Sequence, residues 1–580
     1  MKKRMHLHHE EANALKICDL VIRNARLVNV LSGEIEDDVD IAICGDEIVG
    51  VGCGYKASKT IDAHGRFVYP GFIDAHIHLE STKLSVQEAA RLMAPCGTAA
   101  VITDPHEIGN VAGLEGLEFQ RASAQNNDYI DVFFVAPSCV PTLSDPTIET
   151  APATLDGKTL RDFANHEDVV GLGEVMNVPG ILTRDPSVIE KITEFQKRGL
   201  VIDGHAPLLS GANLNACVYA GIQSDHESTQ LDEAREKLRR GMVVMIREGS
   251  SEKNLDALLP LVNGHNTMRL MFASDDLDPS DLKTRGHINH LVRRTVAAGI
   301  DPICAIQMAT LSPALYFGLQ KRYGAIFAGA AANLVIAQDL QEFQPDIVLH
   351  QGRVVFENHQ LVPQNTHPIP TLHNTMRAKF PALEQLAVKA ENGKKIRVIE
   401  LVPEQILTRE IELEPQIENH HIVPDPKRDI AKVCVFERHR ESGAFAVGFV
   451  RGFGIQRGAF GSSVSHDSHH LIVVGSCDED ILKCAQIIQK MKGGQAAVCA
   501  QNQATLPLPI AGLMSPKDAD CVIQDEKNST ISAIKSSVSR AKDPWPPSAS
   551  SRSPSSQKFE SPIRGCSPSN PTDIPRNSPY

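Results

Sequence analysis

FVYPGFIDAHIHLE, residues 67–80, is a short apolar run that ends in two histidines and a glutamate. Side chains two apart on a strand point to the same side, so His76 and His78 leave this run together. Seven later runs have the same form, an apolar strand-length core and then polar residues. They are TAAVITDPHE (98–107), DVFFVAPS (131–138), VVGLGEV (169–175), LVIDGHAP (200–207), GIQSDHES (221–228), MVVMIREGS (242–250) and RLMFASDD (269–276). Longer amphipathic stretches separate them, which is the βα signature of a parallel sheet or barrel. Eight units predict an α/β fold with a (β/α)₈ barrel over residues 69–323. In that fold the site lies at the C-terminal ends of the strands, and that is where the polar residues fall.

The flanks read differently. DLVIRNARLVNV (19–30), GDEIVGVG (45–52) and KTIDAHGRFVYPG (59–71) are strands parted by Gly and Asp turn signals. AANLVIAQDL (331–340) and DIVLHQGRVVFENHQLV (346–362) repeat the pattern. Residues 18–68 and 324–365 are therefore expected to form one small β-sandwich from both flanks. Residues 366–522 mix strands such as VCVFERH and HLIVVG with the helical DEDILKCAQIIQKMK, which predicts an α+β domain. Residues 1–17 read as an N-terminal extension. Residues 523–580 are rich in Ser, Pro and Arg, and a disordered tail is expected because such a segment cannot bury enough apolar surface to offset chain entropy.

Bulk composition narrows the function. The chain has 580 residues, of which 42% are hydrophobic and 22% charged, as in ordinary soluble proteins. A net charge of −13 speaks against nucleic-acid binding, which needs a basic footprint. Thirteen scattered cysteines without a CxxC pair suit free thiols in a reducing compartment. The first residues lack the apolar run of a signal peptide, and no stretch approaches a membrane span of roughly 20 apolar residues. A cytoplasmic enzyme with no membrane partner is expected, and a homo-oligomer is expected on general grounds alone.

Metal-ligand residue types recur at the strand ends. His76 and His78 end the first run, Glu174 the fourth, His205 the fifth, His226 the sixth and Asp275 the eighth. Each alone reads as a surface or structural residue. In one barrel, four imidazoles and two carboxylates from five strands converge above its mouth. Nitrogen and oxygen donors without cysteine suit Mn²⁺, Fe²⁺ or Zn²⁺.

The order HxH, carboxylate, His, His, Asp resembles the amidohydrolase superfamily, and Glu174 in place of a bridging lysine resembles its adenine deaminase branch. Further motifs carry the same resemblance from about residue 18 to 520: GTAAVITDPHEIGNV, GLGEVMNVPG, SDDLDPSDL with GHINHLVR, GFVRGFGIQRGAFGSSVSHDSH and LPLPIAGLMS. It implies hydrolysis of adenine to hypoxanthine and ammonia in purine salvage, with two divalent ions sharing the attacking water. Mn²⁺ or Fe²⁺ is favoured by the resemblance, with Zn²⁺ open. One ion would take His76, His78, Glu174 and Asp275, and the other Glu174, His205 and His226. Asp275 would move a proton from the water towards the leaving amine. Glu227 or Glu248 would serve ring N1, and Asp104, His106 and Ser250 would line the substrate pocket. Each of these reads equally as an ordinary loop residue, as does Glu80. Ser463, His466, Asp467 and His469 read rather as a polar strand–helix junction than as a cover for the pocket.

Two alternatives stand beside this reading. One is a hydrolase of the same superfamily acting on a cyclic amide or a 6-substituted purine. The other is a catalytically impaired relative, because after about residue 522 the resemblance stops in the Ser/Pro/Arg tail. The altered tail predicts lower stability. Asn333 and His470 are smaller departures from the motif, where Asp and Asn are usual.

Overall fold

The computed structural model describes residues 18–142, 150–365, 367–402 and 408–537, the last eight by backbone only. The expected N-terminal extension and residues 538–580 of the expected tail lie outside the described residues.

All eight runs form strands, in chain order β1 (Phe72–Ile77), β2 (Thr98–Thr103), β3 (Asp131–Ala136), β4 (Val169–Val175), β5 (Val201–Gly204), β6 (Ser224–Asp225), β7 (Val243–Arg247) and β8 (Leu270–Ala273). Neighbours pair in parallel from β1 to β5 and from β6 to β8. The Gln223 N–H donates to the Ile202 carbonyl at 3.0 Å and joins the two sheets. A parallel bridge between Ile77 and Asp275 closes the ring, with Asp275 N–H on the His76 carbonyl at 2.9 Å. Ile73, Ala75, Ala100, Ile102, Met245 and Met271 fill the interior. Phe72, Val101, Val244 and Phe272 face outward against the helices.

The first strand departs from simple alternation. Ile73 and Ala75 point inward, yet Ile77 packs outward with Phe72. The pairing with β2 shifts register between Asp74 and Ile77. Such an irregularity re-aims side chains, and here it leaves His76 and His78 at the mouth.

The flanks merge into one nine-stranded hydrogen-bonded sheet. The join is Phe67–Pro70 against Leu334–Ala337, with Tyr69 opposite Val335. The distal region holds an eight-stranded sheet and a smaller three-stranded one. The helix Asp478–Lys490 packs on it through Ile481, Cys484, Ala485 and Ile488. The expected boundary at residue 522 falls inside a helix, Ala519–Ser537. Val522 is fully buried, and Glu526 pairs at 2.9 Å with the buried Lys83 beside the barrel. Composition missed this because the helix holds few aliphatics and is tied down by an ion pair. All described cysteines are free, and no described helix is long and apolar enough to cross a membrane.

Candidate metal centre

The mouth of the barrel gathers the six expected ligands. His76, His78, Glu174 and His226 are almost wholly buried, Asp275 is 5% exposed, and His205 is half-buried. Glu174 stands between two sets of imidazoles. Its Oε1 lies 3.5 Å from His78 Nε2 and 3.4 Å from His106 Nε2. Its Oε2 lies 2.5 Å from His205 Nδ1 and 3.1 Å from His226 Nε2. Asp275 Oδ1 is 3.1 Å from His78 Nε2 and 3.9 Å from His76 Nε2. His76 and His226 stack with ring centroids 4.1 Å apart.

These donors fit divalent ions. The groups His76–His78–Glu174, His76–His226–Asp275 and Glu174–His205–His226 each bring ligand atoms within 4.8 Å of one another. Neither ring nitrogen of the buried His226 makes a hydrogen bond, although Nε2 lies so near Glu174. The His78 Nδ1 is 3.0 Å from the Asp104 carbonyl, and the neutral tautomer that donates to it leaves Nε2 open for a cation.

Electrostatics keep the carboxylates ionised. Burial raises the Glu174 carboxyl, but His205 and His226 outweigh it and hold it well below its usual range. Burial opposes ionisation of Asp275 too, and Arg247 and His78 pull that carboxyl well down. Burial lowers the His226 imidazole, yet Glu174, Asp275 and Glu227 push it up to about 9. Asp104 moves the other way, because burial and the Glu174 charge raise it well above the carboxylate range.

The expected substrate residues separate into two sets. Glu227 Oε1 lies 3.5 Å from His205 Nδ1 and 3.7 Å from His226 Nε2, facing the cluster. The Asp104 Oδ2 accepts the Glu174 N–H at 2.9 Å, so it braces the ligand strand. Glu248 is tied elsewhere, accepting from Arg294 and from the Leu255 N–H at 3.2 Å. The Ser250 hydroxyl accepts the Asp278 N–H at 2.8 Å beside a cavity of about 20 Å³ that Ser81, Asp276 and His466 also line. That volume holds about one water.

Sequence reading passed over three residues here. Arg247 donates to both oxygens of Glu227 and, at 2.6 Å, to Asp275 Oδ2. A charge closing the apolar run MVVMIR was the available signal. Asp74 is fully buried, 2.9 Å from His287 Nε2, and accepts from the Ser274 hydroxyl. Glu107 lies 3.8 Å from the distal His466 and 4.0 Å from His469. Asn333 donates to Asp131 at 3.1 Å, a bond an aspartate could not make, and His470 Nε2 meets Thr150 Oγ1 at 3.0 Å. Neither touches the six ligands.

Comparison with known proteins places this geometry in context. The amidohydrolase family profile matches residues 67–355, and the adenine deaminase C-terminal domain profile matches residues 405–546, past the point where the resemblance in the sequence was expected to stop. An adenine deaminase of Desulfatibacillum aliphaticivorans is 42% identical over 530 residues, 91% of each chain. One of Oleidesulfovibrio alaskensis is 44% identical over 509 residues, 87% of each chain. Among solved structures, a β-aspartyl dipeptidase of Fervidobacterium islandicum AW-1 is 17% identical and covers 60% of this chain and 100% of its own, with a TM-score of 0.47.

Proposed function

The chain belongs to the adenine deaminase family of the amidohydrolases, and from that premise we propose that it hydrolyses adenine to hypoxanthine and ammonia. The observation that carries this reading is the split environment of Glu174, with one oxygen towards His78 and the other towards His205 and His226. His76, His78, Glu174 and Asp275 would hold one cation, and Glu174, His205 and His226 a second, with Mn²⁺ or Fe²⁺ favoured over Zn²⁺. When bound, such ions lower the pKa of water towards 7 and polarise the group under attack.

The chain's own groups do the rest. Asp275 takes a proton from the attacking water as the C6–O bond forms. It then passes that proton to the amino nitrogen as the C6–N bond to the amino group breaks, and the second proton of the water ends on ring N1 as the C6=O bond forms. Arg247 fixes Asp275 and Glu227 in place. Glu227 is the group that addresses ring N1, because Glu248 is turned to Arg294. His106, near Glu174, lines the pocket, while Asp104 orients the ligand strand. Purine salvage in the cytoplasm is the role this activity suits. Ultraviolet difference assays of adenine, with ammonia release measured in parallel, test the reading. Turnover of cyclic amides without turnover of adenine would overturn it.

A further inference from the structure

A second group of metal-ligand side chains lies beside the barrel mouth and shares no residue with the six ligands. Glu107 and His106 are neighbours in the chain, but their side chains diverge. His106 turns to Glu174, whereas Glu107 turns to the distal loop between the strands Ala459–Ser462 and Leu471–Gly475. That loop supplies His466 and His469. The Glu107 Oε1 is 3.8 Å from His466 Nε2, and Oε2 is 4.0 Å from His469 Nε2.

Glu107 and His469 are fully buried, and His466 is 6% exposed. The Ser81 hydroxyl donates to Glu107 Oε1 at 2.8 Å, but Oε2 has no hydrogen-bond partner. Neither do both ring nitrogens of His469 and the Nδ1 of His466. Buried polar atoms without partners are costly, about 1–3 kcal/mol each. Here several face one another across a gap. The one from each residue that serves as donor lies within 4.8 Å of the other two. Ligands of one tetrahedral zinc ion, each at about 2.0–2.2 Å, stand roughly 3.3–3.6 Å apart, so the observed separations exceed a direct hydrogen bond and need to close by only about half an ångström to share a cation.

We infer that Glu107, His466 and His469 form a third divalent-cation site, which fastens the distal domain to the barrel mouth. Two histidines and a carboxylate form a set that zinc accepts with a water as fourth ligand. The loop is already anchored on both sides of the group. The Asn110 side chain donates to the Asp467 carbonyl, and the buried Arg438 donates to the His469 carbonyl. The ion would thus complete a link between segments more than 300 residues apart in sequence, as the Asn110–Asp467 separation of 357 shows.

The full chain, stripped with a chelator, reloaded with Zn²⁺ and freed of excess by gel filtration, is the test. Metal is counted per chain in the wild type, in Glu107→Gln and in His469→Ala. One equivalent more in the wild type than in both variants is expected. Equal counts overturn the site, whether it is empty or a third ion binds elsewhere. Should a variant fail to fold, anomalous scattering at the zinc edge from wild-type crystals decides. A peak among the three side chains supports the site, and its absence overturns it.

Discussion

The barrel mouth and the distal loop each present histidines and carboxylates, but they are assembled by opposite means. At the mouth, the six proposed ligands stand at or just past the ends of five of the eight parallel strands, so one closed sheet sets their positions. In the distal group, Glu107 comes from the start of the helix His106–Gln125 and meets two histidines from another domain. Strand order builds the first centre. Docking between domains builds the second, so its integrity reports how firmly the two parts hold together.

The largest expected effect separates chemistry from folding at the mouth. Glu174→Gln keeps the shape but removes the shared charge, so kcat should fall at least about 10³-fold, beyond the 10–100-fold typical of outer residues around a metal. The melting temperature should stay within a few degrees. Turnover near the wild-type rate in a folded variant would break the proposed bridging role. Next comes Arg247→Met, which removes the guanidinium that the buried Glu227 and Asp275 charges share. Breaking such a buried network costs about 3–5 kcal/mol, so chemical denaturation should show a loss of that order together with reduced turnover. An unchanged denaturation midpoint would show that Arg247 does not brace the mouth.

The distal half offers a sharper contrast through its last helix. A chain that ends at residue 537 serves as the reference for its melting temperature. Removing residues beyond 522 deletes Glu526, a partner of the fully buried Lys83. It should destabilise by about 2 kcal/mol or more, as for a buried charge that loses a partner. Equal melting temperatures for the two truncations would show that the helix contributes nothing.

The smallest effect is one of pH on the barrel. Burial, Arg285, Arg293 and Arg294 push His290 down to about 4. The unfolded chain then binds more protons than the folded one between about pH 6.5 and 4, so stability is lost as pH falls through that window. Because His290 is only partly buried, the loss should be about 1 kcal/mol after screening. His290→Gln should flatten the stability profile between those pH values, and an unchanged slope would assign the loss to other groups.

How much was legible in the sequence follows from the same contrast. The eight strands and the ligands at their ends could be read because an apolar run followed by a polar residue is a local pattern. The register shift after Asp74 could not, since it depends on pairing with β2. Arg247 was hidden because its meaning lies in two carboxylates 20 and 28 positions away. Glu248, its neighbour, stood beside Glu227 as a candidate for ring N1 until its partner Arg294 was known. The distal histidines read as a polar junction, since nothing in HDSHH indicates that Glu107 faces it. The helix across residue 522 was missed because one buried ion pair outweighs a poor composition.

The reading of the mouth rests on one carboxylate serving two cations, and anomalous diffraction from manganese-loaded crystals examines that directly. Two peaks about 3.5–4 Å apart, as in two-metal sites, with one near each oxygen of Glu174, are expected. A single peak, or none beside Glu174, would contradict it.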